Sequence, residues 1–423
     1  MRNSSVPHLP VPTSPQSKGF RLSTFSSLQY RDYRYLWTTT IFTSAGNWIQ
    51  QITLGWLVFH MTGSALLTGT VSGVRALPFL FVGPLAGVIA DRVDRKLLLI
   101  LTHIYLSLLG LGFAILIVTG LIQVWHIFVF SFLGGVGWAI LNPVRQTLVP
   151  ALVPSSALMN AIALNSAAFN ATRVIGPAIG GVLIAAFGPA TNFFIQSAAY
   201  FAVTIFVLPI RIPARPPTTT PHASILGDLK GGLKYVSKDK TILALIMVAL
   251  VPSVFMMPFT QGLMPVFAKS VLGVGPEGLG ILLASAGAGA LVGTLALASL
   301  GNFQRKGVLL LTSATIAAAS LMLFSRTTWL PVAAAVLAIQ GGFQMVYNST
   351  NNTVLQIITP DEYRGRVMSI YMLDHGLMPL GSFMAGALAE IFGAPMAILA
   401  AGAITTALVL LLATQFRQLR QFR

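Results

Sequence analysis

Apolar stretches of about 20 residues, the length at which a helix crosses a bilayer core, recur through this chain with short polar punctuation between them. Windows of that size predict spans near 35–59, 67–90, 97–120, 125–148, 158–187 and 190–208. A second set follows near 242–267, 278–300, 308–325, 330–355, 367–392 and 395–414. The break between the sets opens as the Pro-rich "PIRIPARPPTTTPHA" and continues as "SILGDLKGGLKYVSKDK". In the second part Ile225, Leu229, Leu233 and Val236 recur at helical spacing, and Lys230, Lys234 and Lys238 form another stripe. Such a helix would lie on a membrane surface with its lysines near anionic headgroups, although a plain tether between bundles has the same pattern. The expected architecture is an all-α polytopic membrane protein of twelve helices in two six-helix bundles. Its parts are a tail over 1–33, a bundle over 34–209, a linker over 210–240, a second bundle over 241–415 and a tail over 416–423.

The halves resemble each other. "GVIADRVDRKLLLIL" aligns with "LALASLGNFQRKGVLLL", matching Arg95–Lys96 to Arg305–Lys306. "VPSSALMNAIAL" aligns with "TPDEYRGRVMSI", and the segments ending at Gly188 and Gly393 also pair. Two six-helix repeats in parallel orientation are the layout associated with alternating-access transport.

Composition supports the membrane reading: 55% of the 423 residues are apolar and only 9% are charged, too few charges to cover a soluble surface. The net charge of +16 invites a nucleic-acid partner, but the cations sit in short loops between apolar segments. With the N-terminus inside, 22 of the 26 basic residues fall on the inner side and 2 on the outer. That bias sets both termini in the cytoplasm, in what would be the inner membrane of a bacterium. The first thirty residues have no apolar core and read as a cytoplasmic tail, not a cleaved leader. With no cysteine, thiolate metal sites are excluded. The histidines show no paired ligand spacing, and neither a P-loop nor G-x-S-x-G occurs. No metal, cofactor, nucleic acid or direct ATP drive is expected, and the chain reads as monomeric.

One charged block stands out. In "GPLAGVIADRVDRKLL" five of the six residues 91–96 are charged. Topology explains Arg92, Arg95 and Lys96 but not Asp91 and Asp94. This block resembles the loop between helices 2 and 3 of the major facilitator superfamily, roughly G-x-x-x-D-R-x-G-R-[KR], with Gly87, Asp91, Arg92, Arg95 and Lys96 in place and Asp94 where the superfamily usually has glycine. The D-R-x-D-R form, and "TPDEYRGRVMSIY" at 359–371, are similar to the subfamily of enterobactin-exporter-like, transmembrane secretion effector proteins. "GPAIGG" (Gly176, Pro177, Gly180, Gly181) resembles the core of the superfamily's helix-5 antiporter motif, without its upstream glycines.

The resemblance implies the major facilitator fold, export, and a cytoplasmic latch formed by Asp91, Arg92 and Arg95, with Asp94 and Arg145 as further candidates. Physics alone gives the GPAIGG segment close helix approach and a loosened hydrogen-bond ladder at Pro177, and packing without gating remains open.

Ionisable groups within spans are costly and functional by default. Arg75, Arg173, Asp374 and His375 are therefore candidates for proton coupling. Counting 1.5 Å per residue puts Asp374 roughly 12 Å from the level of Arg75 and nearer that of Arg173, its expected partner. A permanently paired structural Asp is the alternative. Amides concentrate on helices 1, 4, 7 and 10: Asn47, Gln50, Gln51, Asn142, Gln261, Gln340, Gln344 and Asn348. The resemblance places those helices around a central cavity, and aromatic neighbours such as Trp48, Phe255, Phe259 and Tyr347 suit an amphipathic organic solute. Interhelical hydrogen bonding is the alternative for any one of them. The function expected is proton-coupled export of a siderophore- or drug-like solute, with lipid or lysolipid translocation, or a membrane-embedded enzyme, as alternatives.

Overall fold

The computed structural model describes residues 25–212, 225–301, 303–372, 374–416, 418 and 420. Within helices, the side chains at 83–92, 225–230, 361, 372, 374 and 375 lie outside that description. Every element among the described residues is helical. The first half comprises α1 (Arg31–Thr62), α2 (Ala65–Arg92), α3 (Arg95–Val118), α4 (Val124–Leu148), α5 (Ser155–Phe187) and α6 (Pro189–Val207). The linker holds α7 (Ile225–Lys238). The second half runs α8 (Lys240–Phe255), α9 (Met257–Gly262), α10 (Met264–Ser270), α11 (Pro276–Ser299), α12 (Lys306–Phe324), α13 (Leu330–Ile358), α14 (Asp361–Met372), α15 (Asp374–Phe392) and α16 (Ala394–Gln415).

Ten segments among the described residues are long and apolar enough to cross a membrane. Of the two other expected spans, α1 carries a run of Thr, Asn and Gln along its length, and the eleventh covers α14 and α15, with Leu373 between them outside the described residues. The seventh span is broken. Its three pieces meet at Met256 and Leu263, with Pro258 and Pro265 opening the second and third pieces. Proline lacks the amide donor and clashes with the preceding turn, so the freed backbone is tolerated only where protein or a cavity surrounds it.

The repeat is visible in matched corners. The α5–α6 and α15–α16 turns each pivot on a glycine at φ 80°, Gly188 and Gly393, a conformation that L side chains rarely adopt. Within the first half, buried polar pairs tie helices together: Ser107 to Ser197 between α3 and α6, and Asn192 donating to Thr53 Oγ1 at 2.8 Å between α6 and α1. Between halves, α2 packs on α15 and α5 on α11. The second span (α2) corresponds to the eighth (α11) and the fifth (α5) to the eleventh (α14 and α15) in the repeat, so these two seams are pseudo-symmetry mates.

α7 does not lie alone on a surface. Val236 is buried in the second half's core, and Tyr235 stacks on Tyr363 of α14 with ring centres 4.1 Å apart. Gly232 allows α7 to approach Ile370 and Arg366. Leu233 remains 50% exposed.

Candidate functional site

A cavity of about 1110 Å³ separates α4 and α5 from α8 and α13. Its walls include Thr40, Arg145 and Gln146 on one side and Asn348 and Asn352 on the other. These belong to the helix portions nearest the loops that carry Arg95, Lys96 and Arg364, so the cavity opens toward that basic-loop end. Two smaller lobes continue it toward the middle of the molecule, one of about 270 Å³ and one of about 50 Å³.

Seven of the eight expected amides line this space. Asn47, Gln51, Asn142 and Gln261 border the 270 Å³ lobe. Gln340 and Gln344 border the smallest lobe together with Gln51 and Gln261, and Asn348 lies in the main chamber. Gln51 Nε2 donates to Gln261 Oε1 at 3.1 Å, a bond that crosses between the halves. Gln50 is set apart: it is buried and accepts from Gln196 Nε2 at 2.8 Å between α1 and α6. The cavity stripe of α13 continues through Asn352, at i+4 from Asn348, while Asn351 is buried against Leu245. Of the aromatics, Trp48 faces the cavity. Tyr347 donates to the Val248 carbonyl and Phe259 is in the core, so both act in packing.

The opposite end is shut. Gly176 and Gly180 let α5 lie on Trp48 and Ile52 of α1, while Gly181 meets α11 of the other half. A Cβ at Gly181 would stand 3.1 Å from Gly280 Cα and collide with the Pro276 carbonyl. Gly69 is pressed on α15 in the same way, its Cβ position 2.8 Å from Gly386 Cα. Two polar clasps join the halves beyond these glycines. Glu390 accepts from Leu66 N at 3.0 Å and Ser64 Oγ at 3.2 Å, at the N-terminus of α2. Lys269 Nζ lies 3.2 Å from His60 Nδ1 and over the Trp56 and Phe59 rings.

The latch residues divide. Asp94 accepts from Leu97 N at 2.8 Å and caps α3, which gives this departure from the superfamily pattern a local purpose. Lys96 donates to the Leu208 carbonyl at 2.6 Å, just past the end of α6. Arg95 opens α3. The side chains of Asp91 and Arg92 lie outside the described residues. Arg145 is not at the loop; it lies within α4 and lines the chamber.

The coupling candidates also separate. Arg173 lies 5.7 Å from the Trp48 ring and borders the smallest lobe and the main chamber. Arg75 donates to Asn47 Oδ1 and borders the 270 Å³ lobe with Met378 and Ser382 of α15. The side chains of Asp374 and His375 lie outside the described residues, but their helix is placed. α15 runs along α2, with Gly376 against Leu80 and Pro379 against Gly73. Met378 is level with Arg75, so Asp374 starts about 6 Å along the axis from it. The expected neighbour Arg173 is on α5, which packs on α11 instead. Depth counted along separate helices does not say which helices touch.

Arg145 on the chamber wall and the buried pair of His103 and Tyr200 are features that the sequence did not place in the cavity region. His103 bonds Thr43 Oγ1 at 3.0 Å and the Leu99 carbonyl at 2.8 Å, and its ring meets Tyr200 edge-on. The available signal was Asn142 and Arg145 at i, i+3, which share a helical face.

A chamber walled by both halves, entered from one end and closed at the other by paired helices, defines a polytopic transporter of small solutes. The chain belongs to the transmembrane secretion effector family of major facilitator transporters, whose model matches residues 22–422, as the motifs around Asp91 and at 359–371 imply. It is 28% identical over 367 residues to the staphyloferrin A transporter of Staphylococcus aureus, covering 85% of this chain and 90% of that one. To the enterobactin exporter EntS of Escherichia coli it is 27% identical over 376 residues, covering 86% and 87%. To the multidrug efflux pump Tap of Mycolicibacterium fortuitum it is 26% identical over 358 residues, covering 82% and 87%. Among solved structures, a bacterial homolog of the lysosomal transporter Spinster in an inward-facing conformation matches with TM-score 0.73 at 16% identity, covering 92% of this chain and 98% of that one. A variant of the nucleoside transporter NupG matches with TM-score 0.77 at 10% identity, covering 91% and 100%. The family and these relatives are transporters, not enzymes.

Proposed function

We propose that this chain exports a small amphipathic organic solute by alternating access, driven by protons. The observation that carries the reading is the chamber of about 1110 Å³, open at the basic-loop end and sealed at the other by the α2–α15 and α5–α11 seams. The positive-inside rule makes the open end cytoplasmic, so the chain rests facing inward with both termini in the cytoplasm of a bacterial inner membrane. Export requires this state to capture solute and its counterpart to release it outside. Relatives named for siderophore and drug transport support a solute of that size. The mixed amide and aromatic lining suits an amphipathic molecule.

Proton coupling is assigned to Asp374, with His375 and Arg75 alongside. A carboxyl on a helix that packs against α2 can exchange its proton for the Arg75 cation as the seam rearranges. Asp91, Arg92 and Arg95 serve as the latch at the inner end when the outer end opens. A working monomer in the bilayer suffices, because both seams and the cavity are intramolecular. Efflux of a small solute panel from cells expressing the chain, with and without a proton uncoupler, tests this reading. Uncoupler-sensitive efflux that is lost in Asp374→Asn at normal protein levels is the expected result. Efflux by Asp374→Asn that is undiminished and still uncoupler-sensitive would remove Asp374 from the coupling role.

A further inference from the structure

We infer that the exported solute is an anion, its negative groups held against the first half of the molecule and its uncharged body against the second. This rests on the transporter reading and narrows it to a substrate class. Three arginines reach the cavity walls: Arg75 from α2, Arg145 from α4 and Arg173 from α5. No Asp, Glu or Lys joins them among the described lining residues.

Their neighbours leave the charges standing. Arg75 donates to a neutral amide, Asn47. Arg173 lies over the Trp48 ring at 5.7 Å. Arg145 lines the main chamber beside the neutral amides Asn142 and Gln146 of its own helix. Cations at bilayer depth are costly unless paired, and three on one cavity exceed what helix packing requires. Asp374 is the acid that helix packing brings nearest, about 6 Å along the axis from the level of Arg75. Full pairing there still leaves Arg145 and Arg173 without an acidic neighbour among the described lining residues.

Other donors in the same walls also lack partners. The Trp48 indole N–H, which can only donate, and the Ser131 and Ser382 hydroxyls are buried without a hydrogen-bond partner. All three border the 270 Å³ lobe that holds Arg75. An acceptor-rich, negatively charged group entering that lobe would satisfy them with the strength of charge-assisted bonds.

The charge is one-sided. All three arginines are on the first half, whereas the second half offers Gln261, Gln340, Gln344 and Asn348 with Met257 and Met345. An amphipathic anion fits this division, and a lipophilic cation would meet a repulsive wall.

The test uses two xanthene dyes of one ring system, anionic fluorescein and cationic rhodamine 123, whose binding to the purified full-length protein in detergent is followed by dye anisotropy. Fluorescein is expected to bind at least tenfold more tightly than rhodamine 123. Arg75→Gln and Arg173→Gln should each weaken fluorescein binding about tenfold, the usual scale for a charge-assisted contact. Arg173→Lys should retain most of the affinity, and Arg305→Gln, at an exposed cation outside the cavity walls, should change it less than threefold. Absence of fluorescein binding, equal or tighter rhodamine 123 binding, or indifference of fluorescein to both Gln variants overturns the inference. The dye comparison on the unaltered protein decides even if a variant does not fold. Uptake into energised everted vesicles separates the two levels. Anion-selective binding without uptake supports the anion site and overturns the transporter reading. Uptake of rhodamine 123 without anion preference keeps the transporter and overturns the anionic substrate.

Discussion

Asp94 and Glu390 both accept hydrogen bonds at a helix N-terminus, one within its own half and one across the seam between the halves. Asp94 satisfies the free Leu97 amide at the start of α3, the position where an acid also complements the helix dipole. Asp94→Ala should cost about 1 kcal/mol and lower the thermal unfolding midpoint in detergent, with Asp94→Ser recovering most of the loss and transport rates unaltered. A transport defect in Asp94→Ser at full stability would place Asp94 in the latch instead. Glu390 plays the capping part across the seam, because the α2 terminus it bonds belongs to the other half. Glu390→Gln should weaken that end by about 0.5 kcal/mol, roughly a twofold shift toward outer opening at low salt. Thiol labelling of a cysteine introduced at Ala65, which is buried against Ala385 and Ala389 of α15, reports it; unchanged labelling would make the clasp incidental.

At the scale of elements, close approach between halves depends on a few glycines. Gly181→Val collides with the Pro276 carbonyl on α11, and relieving such overpacking costs about 2 kcal/mol. The closed outer end should lose about thirtyfold in population, so that uptake into everted vesicles falls while the protein still reaches the membrane. Gly112→Val is the control, since a Cβ there meets nothing within 4 Å. Equal effects of the two would mean that the seam does not gate.

The elements also show what a sequence carries and what it withholds. Span positions are legible because burial in lipid imposes apolar runs of fixed length, and the stripe of Gln340, Gln344 and Asn348 is legible because period fixes a face. Which neighbour that face meets is not. Gln50 and Gln51 are one residue apart, yet the first bonds Gln196 and the second Gln261, because successive residues point about 100° apart around a helix. Arg145 closes an apolar run and so looks like a loop cation, while the length of α4 holds it inside. Helix adjacency likewise sets Asp374 beside α2, a pairing that no count along one helix can reveal.

For the whole molecule, the proposed cycle exposes one chamber alternately at its two ends. The α2–α15 and α5–α11 seams are related by pseudo-symmetry, so in that cycle rocking one half on the other would open the sealed end as it closes the open one. The chain has no cysteine, which allows clean placement of paired spin labels in proteoliposomes. One pair, Leu121→Cys with Trp329→Cys, reads the sealed end; the other, Met159→Cys with Ile357→Cys, reads the open end, and all four side chains are exposed. Distance distributions from electron–electron resonance should show two populations, with the sealed-end pair lengthening under conditions that shorten the open-end pair. A single population at both ends, unchanged by pH and by bound fluorescein, would contradict alternating access.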